Sequence, residues 1–110
     1  MEGFVRGEIV ILDFPFSNLM QTKRRPALVI KVSKGEDIII SQITAKSQEK
    51  SVEIPIIKED FSKGGLNRDS YVRLDKITTI KKTRVKYKAG SLKKEKFEEV
   101  LNKIINFLRE

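Results

Sequence analysis

Apolar residues in this chain come in short runs broken by polar turns, and only the last twenty positions change to a helical rhythm. Ile9, Val10, Ile11 and Leu12 are continuous within residues 8–14, which predicts a strand covered on both faces, a dimer interface being one way to cover one of them. Residues 15–25 read as a loop, and residues 27–32 and 38–44 as the next two strands, divided by a turn at 33–37. A polar stretch at 45–50 returns into a strand at 51–56, where Pro55 favours an edge or an end. Residues 57–69 read as a loop with one helical turn around Asp60. In residues 71–75 the alternation puts Val72 and Leu74 on one face and Tyr71, Arg73 and Asp75 on the other. Residues 77–80 and 84–87 suggest a last short hairpin, after which Ser91 suits a helix cap. Phe97, Val100, Leu101, Ile104, Ile105 and Leu108 then fall at helical spacing, a stripe that predicts packing against a sheet.

Five to seven short strands followed by one amphipathic helix predict a mainly β (α+β) fold, a small antiparallel barrel or half-open sheet closed by the C-terminal helix. At 110 residues the chain is expected to form a single domain spanning 1–110. No apolar run reaches the ~20 residues of a membrane span, and the first twenty residues lack a secretory pattern, so a cytoplasmic location is expected.

Composition narrows the chemistry. With no cysteine and no histidine the chain lacks a thiolate nucleophile, a thiolate metal site, a Ser-His triad and the commonest metal ligand, so a zinc enzyme is not expected, and no metal or other cofactor is called for. Carboxylates, hydroxyls, Lys and Arg remain. A formal charge of +8 favours a polyanionic partner. Residues 76–96 alone hold nine basic side chains against the single acid Glu95.

The region from 6 to 30 organises the chain. Arg25 precedes Pro26, whose ring excludes the helical conformation for the residue before it, so the guanidinium is expected to project from a stiff strand start and to suit a phosphate. Gly7-Glu8-Ile9-Val10, Phe14-Pro15-Phe16 and Lys23-Arg24-Arg25-Pro26-Ala27-Leu28-Val29-Ile30 resemble the opening of the MazF/PemK toxin family, with its G-[DE]-[IV] and R-P-x-L-[VI] strands. Gln42-Ile43-Thr44-Ala45 resembles the family's I-T-[AS] segment, and Gly65-Leu66-Asn67-Arg68-Asp69-Ser70-Tyr71-Val72 its G-L-x-[RK]-[DE]-S-x-V segment. Val72-Arg73-Leu74-Asp75 is similar to the V-R-x-D of the Kid/PemK branch.

The resemblance implies an SH3-like barrel and the toxin of a type II toxin-antitoxin pair. The implied activity is sequence-selective endoribonuclease cleavage of single-stranded RNA, in a homodimer whose groove is filled at rest by an acidic antitoxin. It assigns catalysis to Arg25, Thr44, Arg73 and Asp75. Lys23, Arg24, Gln21 and Gln42 are the expected RNA contacts.

A ribonuclease of this composition can let the substrate supply the nucleophile, the ribose 2′-hydroxyl attacking the adjacent phosphorus. The protein then orients the ribose, stabilises the growing anion and moves two protons. Arg25 suits the second task with its planar fork of donors. The Thr44 hydroxyl can donate to phosphate or accept from the 2′-hydroxyl. Asp75 either accepts a proton, for which an unperturbed carboxylate is too weak a base, or holds Arg73 in place.

One departure stands out. Kid-like members carry a histidine in the first loop and many MazF members a Gly-Ser-Glu-Gln, whereas this chain has Ser17-Asn18-Leu19-Met20-Gln21-Thr22. Two readings of other classes compete, a non-catalytic CcdB-like gyrase-binding toxin and a basic RNA-binding barrel that cuts nothing.

Overall fold

The structure is a computed structural model and describes residues 3–15 and 22–110. Among the described residues seven strands form one antiparallel sheet: β1 (Glu8–Pro15), β2 (Thr22–Val32), β3 (Asp37–Thr44), β4 (Glu53–Ile56), β5 (Phe61–Gly64), β6 (Ser70–Lys81) and β7 (Val85–Leu92). The helix α1 (Lys94–Arg109) follows. Across the sheet the order is β4-β6-β3-β2-β1-β7-β5. A flat sheet of seven strands would hold its edges about 29 Å apart at ~4.8 Å per step. The step from Ile56 at the end of β4 to Phe61 at the start of β5 spans at most about 18 Å of extended chain. The sheet must therefore curl, giving an antiparallel half-barrel that together with α1 extends 31 × 31 × 30 Å. No described helix is long and apolar enough to cross a membrane.

The continuous apolar run of β1 is buried on both faces within one chain, Ile9 to Leu12 being no more than 7% exposed. Ile9 joins the cluster under α1 with Leu28, Ile43, Val72, Phe97 and Val100, while Val10 and Leu12 join a second one with Ala27, Val29, Ile38, Ile40 and Val85. Both faces of this strand are thus covered within one chain. Phe14 packs against the second cluster.

Four local expectations are corrected. The segment read as a loop at 57–69 does contain a helical turn, Lys58–Asp60, but also the strand β5, which pairs with the end of β7. That pairing is close enough that a Cβ on Gly64 would strike the Ala89 carbonyl, and Gly64 has φ 65°. Residues 77–80 and 84–87 are not a hairpin: β6 pairs with β3 and β4, and β7 with β1 and β5, so the turn Lys82–Arg84 crosses the sheet. Ser91 is no helix cap, because the ladder holds it opposite Glu8 and Lys63; Lys93 takes that place without a side-chain cap bond. The helical stripe is narrower than its spacing suggested. Phe97, Val100 and Ile104 are buried and Leu101 and Phe107 pack beside them, yet Ile105 is 37% exposed and Leu108 65%.

Candidate active site

Arg25 lies inside β2, opposite Leu12 of β1, not at the mouth of the strand. β2 begins at Thr22, but its pairing with β3 begins only at Ala27 opposite Gln42. Pro26, which has no N–H to give, is therefore tolerated in a central strand at the point where one neighbour has peeled away. The gap this leaves beside β2 becomes a cleft.

β6 supplies the opposite wall through a large irregularity. β3 advances two residues, from Ser41 to Ile43, while β6 advances five, from Val72 to Ile77. The surplus chain carries Arg73, Asp75 and Lys76. Bulges of this kind re-aim side chains, and here the Ser41 hydroxyl, fully buried, donates to the Arg73 carbonyl and anchors the turn to β3.

The outcome is one cleft of about 200 Å³ lined by Arg25, Gln42, Thr44, Gln48, Arg73 and Lys76. Four of the residues marked from sequence, Arg25, Gln42, Thr44 and Arg73, thus share one space. Asp75 stands behind it. Arg73 donates from Nε to Asp75 Oδ1 at 3.0 Å and from Nη2 to Oδ2 at 2.9 Å, a bidentate pair, and from Nη1 to Gln48 Oε1 at 3.1 Å. Glu53 Oε2 lies 3.9 Å from Nη1. Thr44 Oγ1 donates to the Lys46 carbonyl at 3.1 Å and accepts from the Lys46 N–H at 3.3 Å, closing a tight turn at the end of β3.

Electrostatics follow from these contacts. The hydrogen bond to Asp75 raises the Arg73 pKa above its ordinary value despite burial. The same bond holds the Asp75 carboxyl below its usual range, against a smaller upward push from burial. Burial pushes Glu53 up, but the Gln48 N–H, the Ser47 hydroxyl, the Glu49 N–H and the charge of Arg73 together bring it below its usual value. Both carboxylates therefore favour the ionised form, and Asp75 is a weaker base than an unperturbed carboxylate.

Two of the other expected RNA contacts, Arg24 and Lys23, do not line this cleft. Arg24 makes a 3.6 Å ion pair with Asp13, its cross-strand neighbour, and borders an adjacent cleft with Arg25, Arg68 and Tyr87. Lys23 is exposed opposite Phe14 and is not among the side chains lining the Arg25 cleft. Gln21, with residues 16–20 of the segment read as a loop, lies outside the described residues. Sequence reasoning missed Gln48, Glu53 and Lys76. Lys76 opens the basic tract and was visible only as charge, whereas Gln48 and Glu53 sit in a polar stretch with no local mark.

Comparison with known proteins gives the family and the fold. The family described as PemK-like, MazF-like toxin of type II toxin-antitoxin system matches residues 5–108. A relative named Endoribonuclease MazF, from Staphylococcus saprophyticus subsp. saprophyticus, is 30% identical over 105 residues, covering 90% of this chain and 86% of the relative. Among solved structures, a MazE-MazF crystal structure from Deinococcus radiodurans has TM-score 0.73 at 18% identity, covering 94% of each chain. An endoribonuclease in complex with its cognate antitoxin, from mycobacterial species, has TM-score 0.70 at 15% identity, covering 97% of this chain and 93% of that one. These two likenesses concern the fold. With the family match spanning nearly the whole chain, this protein belongs to the PemK-like, MazF-like toxins of type II toxin-antitoxin systems.

Proposed function

We propose that this chain is a sequence-selective endoribonuclease that cuts single-stranded RNA, messenger RNA included, without a metal ion. The observation that carries this reading is the cleft in which Arg25, Thr44 and Arg73 converge from three strands. The 2′-oxygen bonds to phosphorus, the bond from phosphorus to the 5′-oxygen breaks, and one proton leaves O2′ while another reaches O5′. The products carry a 2′,3′-cyclic phosphate and a 5′-hydroxyl.

Arg25 offers its donors to the nonbridging oxygens as charge grows there, and Lys76 on the same walls adds a second cation. Thr44 Oγ1 uses one lone pair on the Lys46 N–H and keeps another for the attacking hydroxyl. Asp75 orients Arg73 and does not act as the base, which is the role its lowered pKa favours.

The partners of this reading are single-stranded RNA, a second copy of the chain and an acidic antitoxin segment, with the cytoplasm as the setting. A net charge of +8 supports the two anionic partners, and two structurally similar proteins were solved with antitoxin or MazE.

The test is incubation of purified protein with a long unstructured RNA in EDTA, with both product ends mapped. Discrete cuts bearing cyclic phosphate are expected. Cleavage that needs added metal, or that survives Arg25→Ala undiminished, overturns the proposal; intact RNA with inhibited supercoiling points to the gyrase-binding reading.

A further inference from the structure

Gln48 sits on the polar connection between β3 and β4, held at both ends. Arg73 donates from Nη1 to its Oε1 at 3.1 Å. Arginine has donors only, so the branch of the amide facing it must be the carbonyl oxygen, and the nitrogen with two N–H donors occupies the other branch. The backbone is pinned separately. Gln48 N–H donates to Glu53 Oε2 at 2.8 Å, Glu49 N–H to the same oxygen at 3.1 Å, and the Ser47 hydroxyl to Glu53 Oε1 at 2.7 Å. The Glu53 side chain is only 2% exposed. A buried carboxylate thus folds residues 47–49 against the sheet and delivers Gln48 to the cleft wall.

We propose that Gln48 is a specificity-determining residue, presenting its amide N–H donors to an acceptor on the edge of a nucleobase beside the scissile phosphate, with Glu53 as its positioning residue. This rests on the nuclease reading above. Phosphate is already served by the full charges of Arg25 and Lys76, to which a neutral amide adds little. On a base edge, by contrast, donor placement discriminates. Unpaired RNA leaves those edges open.

The experiment maps cleavage of one long unstructured RNA at nucleotide resolution for wild type, Gln48→Ala, Gln48→Glu and Glu53→Gln. In Gln48→Ala the rate ratio between preferred and disfavoured sites is expected to fall about tenfold, the loss of one net hydrogen bond. Gln48→Glu, which exchanges donors for acceptors, shifts preference at one base position toward amino-bearing bases. Glu53→Gln weakens preference at that same position. Gln48 is exposed, so its variants test the claim without threatening the core. A uniform fall across all sites, or an unchanged map in both Gln48 variants, overturns this assignment alone. A wild-type protein that cuts nothing overturns the nuclease reading and this assignment with it.

Discussion

Arg73 is fully committed at the cleft, spending Nε and Nη2 on Asp75 and Nη1 on Gln48. Arg25 is the residue whose loss should act on chemistry. Arg25→Ala is expected to lower single-turnover cleavage by about 10²- to 10³-fold, the scale of a removed oxyanion donor, with the native circular dichroism kept. Arg73→Ala acts first on the fold: it strands Glu53 and Asp75 without their cation and should cost about 3–5 kcal/mol in urea titration. The pH dependence has a definite sign. Both carboxyls titrate below their ordinary values of 4.5 and 3.8 when folded, so the unfolded chain takes up protons first. Their contribution is complete above the ordinary values and is lost as pH falls through that range toward the lowered folded values. The melting midpoint should hold steady down to about pH 5 and drop below about pH 4, and Glu53→Gln should flatten part of the drop. At this scale Arg25, Gln42, Thr44 and Arg73 were legible because motif residues carried them. Gln48 and Glu53 were not, since their roles come from hydrogen bonds to partners that no local pattern announces.

Elements were legible to the extent that their burial is periodic. The period of α1 marks its buried face, yet Ile105 lies about 100° around from Ile104, off that face, and Leu108 stands one turn past the last buried side chain. Ile104→Ala should therefore cost about 2–5 kcal/mol and Leu108→Ala no more than about 0.5, a contrast that chemical denaturation would measure. Strand β5 escaped notice because its burial is poor and its partner, the end of β7, lies almost thirty residues on. The irregularity in β6 was invisible for a related reason. Alternation through Val72, Arg73, Leu74 and Asp75 looks like plain strand, and only the ladder with β3 reveals three surplus residues.

At the scale of the whole molecule, curling of the sheet and the parting of β2 from β3 make the cleft, while excess positive charge sets its salt response. RNA affinity should fall steeply with salt, and Lys76→Ala should reduce the log-log slope by about 0.7, one phosphate contact on a single strand, in titrations at several salt concentrations. An unchanged slope would remove Lys76 from the binding surface. What the sequence by itself determined was local: apolar runs of strand length, a helix of period 3.6, a strong basic excess, the absence of histidine and cysteine, and motifs that name a family. The tertiary structure alone decided that Arg25, Thr44 and Arg73 open onto one space, that Asp75 is tied up as a holder of Arg73, and that Glu53 carries Gln48 to the wall. The physical reason is that alternation encodes which side of a strand a residue takes. Which sides come to face each other is set by pairing between segments tens of residues apart, where ladder register and bulges leave no trace in the nearby sequence.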